Sequence, residues 1–174
     1  IEGRMKTALY VATVARTYRK AIDDFYESLD KYLENMEYYK AEIGKCTYRQ
    51  FTTGFFFQKP DSNTQIYDNN VYVKEYTYLG IVSSHNAEGA SEMEQRNKFS
   101  VGDMVEIMKP NGENITTKVL KITDEDGNEM ESCPHPKQKI FVTFDKETTQ
   151  YDLIRVQEKS DNSNQDCGCT SCNE

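Results

Sequence analysis

Apolar side chains recur at spacings of three and four residues from Lys6 to about Tyr39, which is the period of an amphipathic helix. The stripe consists of Val11, Val14, Tyr18, Ile22, Phe25, Leu29, Leu33 and Met36. Charged side chains fill the opposite positions, and neither glycine nor proline interrupts the pattern before Gly44. The pattern predicts one long helix, or a helix pair broken near Asp30, whose apolar stripe packs against a neighbouring element.

The next segment, 45–70, has a different character. It is aromatic at first and then polar, with breaks at Gly54 and Pro60. Its aromatic cluster consists of Phe51, Phe55, Phe56 and Phe57. Because large apolar side chains seldom form an exposed patch, the segment is interpreted as a linker whose cluster packs against the helix or the next domain.

Residues 71–156 carry the signals of β-strands. The short β-branched, aromatic or alternating runs are VYVKEYTYLGIVSS, ASEMEQRNKF, MVEIMK, ITTKVLKIT, QKIFVTF and DLIRVQ. Turn sequences such as PNGEN and DEDGNE separate them, and Gly80 indicates a bulge or a close approach. Six short, evenly spaced strands predict a small closed β-barrel, so the fold class is α+β. The last residues, 157–174, are rich in Ser, Asn and Asp and are interpreted as a disordered tail.

The charge balance limits the kinds of partner that the chain can bind. The 174 residues carry a net charge of -8, and the part up to Val156 keeps -5 of it. A body of this charge is a poor general binder of nucleic acid, so only a local basic stripe could contact RNA. The candidates for such a stripe are Lys74, Arg96, Lys98, Lys118, Lys121 and Arg155. There is no apolar run of the roughly 18 residues that a membrane span needs and no signal peptide, so no membrane partner is expected.

The chain has five cysteines, an odd number that does not suit a secreted disulfide framework and favours a cytoplasmic location. Cys46 and Cys133 are isolated in the sequence. Cys167, Cys169 and Cys172 are close enough to share zinc or copper(I), although a fourth ligand is missing and His85 and His135 are distant. The metal hypothesis for the tail is therefore weak.

Other signals of catalysis are few. The chain has no phosphate-binding glycine loop, no serine nucleophile elbow and no histidine pair at metal spacing. His135 lies between two prolines in an extended loop, which suits packing or hydrogen bonding. Glu2, Arg4 and Lys6 precede the long helix, at the place where barrel enzymes hold substrate. They are candidates for a substrate pocket, and no complete catalytic set is present.

Four stretches resemble one family. IEGRMKTALYVATVARTYRKAIDDF, YRQFTTGFFF, EQRNKFSVGDMVEI and PHPKQ occur in the order found in the C-terminal region of the collagenase-like peptidases, peptidase family U32. Gln58 and Cys133 depart from the family pattern, and both lie in loops. Ile1 to Arg4 also spell a protease recognition sequence used to remove expression tags. Because Met5 and Lys6 continue the family pattern, we expect these four residues to be native.

The resemblance implies a longer parent protein, of which this chain, beginning at Ile1, is expected to be a fragment or a processed product. The parent would have a parallel α/β barrel whose last strand and helices are 1–44. Relatives are recorded as peptidases, and others are implicated in hydroxylating a wobble uridine of tRNA with prephenate and an iron–sulfur cluster. The cluster cysteines of those relatives lie upstream. The module at 71–156 would resemble the second domain of translation elongation factors.

Two hypotheses remain open. In the first, the chain is an accessory region without activity of its own that places a substrate, tRNA or protein, or mediates assembly, for the upstream barrel of its parent. In the second, it is a protein–protein interaction or dimerisation module with no substrate role. A basic stripe on the β-barrel would favour RNA placement, and evenly mixed charge would favour the interaction module.

Overall fold

The computed structural model describes residues 1–46, 56, 57, 59 and 75–158. Helix α1 spans Ala8–Glu27 and begins at Thr7, whose hydroxyl accepts a hydrogen bond from the Tyr10 N–H at 3.3 Å. Helix α2 spans Leu29–Glu34 and helix α3 spans Met36–Gly44. We call the unit formed by α1, α2 and α3, with the cap residue Lys45, the helical segment.

The expected single helix or helix pair is therefore corrected to three helices. Ser28 is extended and ends α1, since its N–H donates to the Asp24 carbonyl at 2.9 Å. Its hydroxyl then accepts from the Lys31 N–H at 3.1 Å, so the same residue caps the start of α2. Asn35 separates α2 from α3. The spacing of apolar residues does not reveal these helix ends, because the same spacing continues in the next helix after each break.

The structure also corrects the expected packing of the apolar stripe. The buried residues of α1 are Leu9, Thr13, Val14, Thr17 and Asp24, of which three are polar. Most of the stripe is exposed, including Tyr18, Ile22, Phe25, Leu29 and Leu33. The helix thus turns a largely polar face toward the rest of the chain and an apolar face toward solvent.

Seven strands follow within 75–158. They are β1 (Tyr76–His85), β2 (Ser91–Glu94), β3 (Met104–Met108), β4 (Asn114–Thr123), β5 (Glu129–Met130), β6 (Lys139–Phe144) and β7 (Leu153–Gln157). All six expected runs form a strand, and β5 is a two-residue addition that pairs with the end of β4. We call residues 75–158 the β-domain.

The strands form one antiparallel sheet in the order β3-β7-β1-β2-β6-β4-β5, and β3 also pairs with β4. The two ten-residue strands change neighbours along their length. Strand β1 pairs with β7 and then β2, and β4 pairs with β3 and then β6, with β5 beside its end. A register shift at Gly80 accompanies this change in β1. A Cβ at Gly80 would lie 2.8 Å from the Glu94 carbonyl oxygen, so the close approach expected there is confirmed.

The main core lies inside the β-domain and is apolar. Its buried residues are Leu79, Val82, Met93, Phe99, Val105, Ile107, Val119, Ile122, Cys133, Ile140, Val142, Phe144 and Ile154. In β4 the inward side changes from Val119 to Ile122, because a register shift between Val119 and Lys121 interrupts the alternation. Simple alternation would have turned Lys121 inward, whereas it is exposed.

A smaller apolar cluster joins the helical segment to the outer face of the sheet. It consists of Leu9 from α1 with Tyr78, Met108 and Leu153 from β1, β3 and β7. Phe56 and Phe57, in contrast, are 82% and 78% exposed and contact each other edge to face at 5.0 Å. The expected packing of the aromatic cluster is wrong for these two rings. Phe51 and Phe55 lie outside the described residues, as does the tail from 159 onward.

Candidate functional site

A buried group of charged side chains lies between the helical segment and the sheet. We call it the joint; its members are Arg16 of α1, Glu42 of α3, the cap residue Lys45, Glu106 of β3 and Arg155 of β7. Three cations meet two carboxylates in this group. Removing charges from water is costly, so such a group persists only where its members are paired and hydrogen-bonded.

Glu42 is the centre of the joint and is 2% exposed. Its Oε1 contacts Lys45 Nζ at 2.5 Å and accepts from Asn114 Nδ2 at 2.8 Å. Its Oε2 accepts from Arg16 Nη2 at 2.5 Å and from Arg155 Nη2 at 3.3 Å. Burial raises the pKa of the Glu42 carboxyl, but the hydrogen bond from Lys45 and the charges of the three cations outweigh it, so the pKa lies below its usual value.

Arg155 is fully buried on the sheet side of the joint. Its Nε donates to Glu106 Oε1 at 2.6 Å, and its guanidinium carbon lies 5.0 Å from the centroid of the Tyr76 ring. Lys45 Nζ lies 5.4 Å from the same ring. The prediction that Arg155 contacts nucleic acid is therefore wrong. Its neighbours Leu153 and Ile154 are both buried, which shows that the helical segment covers the outer face of β7.

Arg16 also ties the helical segment to the hairpin between β3 and β4. Its Nη1 donates to the Lys109 carbonyl at 3.0 Å and to the Glu113 carbonyl at 3.2 Å. Tyr38 of α3 donates its hydroxyl to the Gly112 carbonyl at the tip of the same hairpin, at 3.2 Å. The hairpin backbone is thus held by side chains from two helices.

A second polar centre holds the three helices together. The Asp24 carboxylate accepts from Lys20 Nζ at 2.8 Å, from the Tyr39 hydroxyl at 2.6 Å and from Asn35 Nδ2 at 3.0 Å. The hydrogen bonds from Lys20 and Tyr39 lower the pKa of Asp24 to about 2. Burial, together with the hydrogen bond to Asp24, raises the pKa of Tyr39 to about 12. Asp24 therefore stays ionised and Tyr39 stays protonated throughout the physiological range.

A polar cleft of about 370 Å³ lies between α1 and this hairpin. Its lining residues are Arg16, Arg19, Lys20, Asp23, Asp24, Glu27, Lys31, Pro110, Asn111 and Gly112. The cations of the cleft have carboxylate partners: Arg19 pairs with Asp23, Lys20 with Asp24 and Lys31 with Glu27. The acids of the cleft therefore neutralise most of its positive charge, and the cleft is a weak site for an anion.

The exposed apolar stripe is the other candidate surface. We call it the apolar face and define it by Val11, Tyr18, Ile22, Phe25, Leu29 and Leu33, each exposed by 40–56%. Its residues on α1 lie opposite the side that carries Leu9, Thr13 and Thr17, and Leu29 and Leu33 belong to α2. An exposed set of large apolar side chains of this kind is typical of a contact with another protein surface.

The pocket candidates lie at the start of the chain. The Arg4 N–H donates to Glu2 Oε1 at 2.8 Å, and the Lys6 N–H donates to the Gly3 carbonyl at 2.9 Å. Lys6 Nζ is 5.3 Å from the centroid of the Tyr10 ring. These residues form a turn rather than the strand expected there, and all three candidate side chains are exposed.

The basic candidates divide into two groups. Arg96 pairs with Glu94 at 2.9 Å and Lys121 pairs with Glu129 at 2.8 Å, so acids offset both charges. Lys98 and Lys118 are exposed. Lys74 lies outside the described residues.

Metal ligands are not brought together in the part of the chain that the structure describes, where no group of three or more His, Cys, Asp or Glu could hold an ion. Cys46, directly after the helical segment, and Cys133 of the β-domain are free and buried, and burial raises the pKa of both thiols. These residues do not fit an iron–sulfur cluster. Cys167, Cys169 and Cys172 lie outside the described residues. None of the helices that the structure describes is long and apolar enough to cross a membrane.

The sequence reasoning missed Arg16, Glu42 and Glu106. One signal was available: Arg155 interrupts the apolar run Leu-Ile-Arg-Val, which indicates a charge buried under a second layer. The identity of its partners depends on which helix covers the sheet, and spacing along the chain does not give that.

Comparisons with known proteins give consistent matches. The family model described as Peptidase family U32 matches residues 1–66, and the model for the Peptidase family U32 C-terminal domain matches residues 74–155. The tRNA hydroxylation protein P1 of Bacillus subtilis is 35% identical over 156 residues, covering 89% of this chain and 37% of the relative. The tRNA hydroxylation protein P of Haemophilus influenzae is 33% identical over 155 residues, covering 82% of this chain and 30% of the relative.

The chain thus spans about a third of the length of these curated relatives. Among solved structures, the C-terminal domain of a Geobacillus thermoleovorans protein assigned to the U32 peptidases is 36% identical, with a TM-score of 0.42. The match covers 46% of this chain and 99% of that one.

Proposed function

Because the chain belongs to peptidase family U32, we propose that it is the C-terminal accessory region of an enzyme that hydroxylates tRNA. In this proposal the chemistry takes place upstream, and the β-domain places the substrate. Two relatives that match most of this chain are named tRNA hydroxylation proteins, which supports tRNA as the substrate. A cytoplasmic location belongs to the same proposal, and any iron–sulfur cluster would be held by upstream residues of the parent.

The observation that carries the proposal is the apolar face. Helix α1 buries Thr13, Thr17 and Asp24 against its own chain while Ile22 and Phe25 remain exposed. A helix of this kind needs apolar partners on its second side. We assign that second side to the upstream α/β barrel of the parent, of which α1 to α3 would be the last helices.

For the β-domain we propose a closed barrel that resembles the second domain of translation elongation factors. The pairing of β3 with β4 supports this, since it gives β1, β2, β3, β4, β6 and β7 a partner on both sides. Lys98 and Lys118, and more weakly Arg96 and Lys121, are the cations available to RNA, together with Lys74. Because acids offset part of this charge, the contribution of the β-domain to RNA affinity is expected to be modest.

At the start of the chain we propose Glu2, Arg4 and Lys6 as pocket residues of the parent. The planar fork of Arg4 suits a carboxylate or a phosphate, and lysine would not reproduce it. In the full-length protein, Arg4→Lys should lower kcat/KM at least about tenfold while the melting temperature stays the same. Full activity in this variant would show that the opening residues are scaffold.

The test of the main proposal uses the full-length protein, assayed side by side for tRNA hydroxylation and for gelatin cleavage. Ile22→Lys and Leu33→Lys place a charge on the apolar face, whereas Glu34→Lys, next to Leu33 and exposed, is the matched control. We expect tRNA hydroxylation to fall in the first two variants and to persist in the control. Gelatin cleavage without tRNA hydroxylation would contradict the proposed substrate and support a peptidase.

A second function, a homo-oligomerisation module, uses the same apolar face. It predicts that this 174-residue chain forms dimers that Ile22→Lys dissociates, as measured by analytical ultracentrifugation. It also predicts that both face variants of the full-length protein lose assembly and keep activity. A monomeric chain would contradict the module.

A further inference from the structure

The contact between the helical segment and the β-domain has two parts of different character. Within the described residues, the buried apolar contact between the units is the small cluster of Leu9, Tyr78, Met108 and Leu153. Apolar contact is not directional, so a cluster of this size holds the units together without fixing the angle between them. Hydrogen bonds are directional, and the joint supplies most of those across the contact, beside the bond from the Tyr38 hydroxyl to the Gly112 carbonyl.

The Glu42 carboxylate distributes its hydrogen bonds evenly across the contact. Oε1 is held by Lys45 from the helical segment and by Asn114 from the β-domain. Oε2 is held by Arg16 from the helical segment and by Arg155 from the β-domain. Each oxygen therefore binds one donor from each unit, so a rotation of one unit against the other would break bonds at both oxygens.

We propose that Glu42 is a positioning residue that fixes the orientation of the β-domain on the helical segment. Buried ion pairs often add little net stability compared with apolar side chains of the same size, whereas some of them specify one geometry. The geometry matters for function because the helical segment docks upstream through the apolar face while the β-domain projects from its other side. That consequence rests on the proposed function, but the orientation itself can be measured without it.

The experiment measures residual dipolar couplings of backbone amides in the 174-residue chain. Glu42→Gln removes the charge and keeps the shape, and Glu37→Gln makes the same change at an exposed position of α3. In the wild type and in Glu37→Gln, we expect one alignment tensor to fit both α1 and the β-domain. In Glu42→Gln, each unit should keep internally consistent couplings, and the two tensors should differ by more than the scatter in Glu37→Gln. A single tensor in Glu42→Gln would overturn the inference.

Loss of helical structure in Glu42→Gln would be visible separately, since the main core draws all its residues from 79–154. In that case Asn114→Ala decides. It removes the Asn114 donor to Glu42, together with the Asn114 Oδ1 that accepts from Arg16 Nη2 at 3.0 Å, and it leaves the three cations in place. We expect Asn114→Ala to keep the helices and to increase the tensor difference. Unchanged relative orientation in Asn114→Ala would also overturn the inference.

Assays of the full-length protein distinguish the role of Glu42 in orientation from the placement of tRNA by the β-domain. If the β-domain places tRNA, Glu42→Gln should raise KM for tRNA and leave kcat close to the Glu37→Gln value. A changed orientation with unchanged KM would leave Glu42 as the positioning residue and refute placement of tRNA by the β-domain. An unchanged orientation would refute the role of Glu42 whatever the activity.

Discussion

The β-domain and the helical segment bury opposite kinds of side chain. The core of the β-domain is apolar throughout, from Leu79 to Ile154, and the strands that supply it pair with one another. The helical segment buries Asp24 and Glu42 and leaves Ile22 and Phe25 in water. Since burial of apolar area drives folding, the first unit has its driving force within this chain and the second has only part of it.

The polar groups in the helical segment have a different task from the core. Asp24 connects three helices through Lys20, Asn35 and Tyr39, and Glu42 connects those helices to two strands. Both carboxylates are placed where elements meet. The comparison indicates that apolar packing supplies the stability of the β-domain and that buried charges set the arrangement of the elements packed on it.

The largest effect is expected in the β-domain core. Ile122→Ala removes a fully buried side chain of β4 and should lower the free energy of unfolding by about 4 kcal/mol. Leu120→Ala, two residues away on the same strand and 48% exposed, is the matched control and should change it by less than about 0.5 kcal/mol. Urea unfolding followed by circular dichroism measures both. Equal effects would show that the core does not dominate the stability of the β-domain.

The second-largest loss of stability is expected from a substitution in the joint. Arg155→Met leaves the buried Glu42 and the partly buried Glu106 with one cation fewer and should cost about 3 kcal/mol. In the double variant Arg155→Met, Glu106→Met, both members of the pair become apolar, and most of the loss should be recovered. A double variant as unstable as the single one would mean that the ion pair itself stabilises the fold, contrary to the contrast drawn between the two units.

More of the structure of the β-domain than of the helical segment could be predicted from the sequence. Alternation and turns located six strands, because each strand is patterned by the face it buries and hairpins are local. The bulge in β4, which turns Ile122 inward in place of Lys121, could not be predicted from the sequence. One extra residue shifts the alternation of inward and outward side chains, and the sequence is compatible with the alternation with or without that shift.

The helical segment was harder to predict for a physical reason. Its apolar stripe predicts a buried face, whereas the structure leaves most of that stripe exposed and buries the opposite side of α1. In our proposal the covering surface belongs to upstream chain, and spacing within this sequence does not show that. Arg155 was read as a surface cation for the same reason. A charged residue on a strand is buried only if another layer covers it, and the partner from that layer, Glu42, lies 113 residues earlier in the chain.

A smaller effect is expected from acid. Because the pKa of Asp24 is lowered from 3.8 to about 2, its contribution to stability is complete above about pH 4 and is lost as the pH falls toward 2. Lys20 is one-third exposed and water screens its interaction, so the contribution should be only about 1 kcal/mol. The stability difference between wild type and Asp24→Asn, measured by urea unfolding from pH 6 to pH 2, should shrink across this window. A difference that does not depend on pH would show that the charge of Asp24 does not stabilise the helices.

The smallest effect is expected on the apolar face, where Ile22→Gln should change the stability of this chain by less than about 0.5 kcal/mol. Ile22 is 44% exposed, and glutamine forms helices at least as well as isoleucine, so neither burial nor helix propensity opposes the change. Thr17→Gln, on the opposite side of α1, is the matched comparison. Thr17 is 3% exposed and its hydroxyl donates to the Thr13 carbonyl at 2.7 Å, so a longer side chain there must displace its packed neighbours and should cost about 2 kcal/mol. Thermal unfolding of both variants tests whether α1 buries its polar side and exposes its apolar face. If Ile22→Gln proves the more destabilising, the apolar face is covered within this chain, and its assignment to an upstream partner fails.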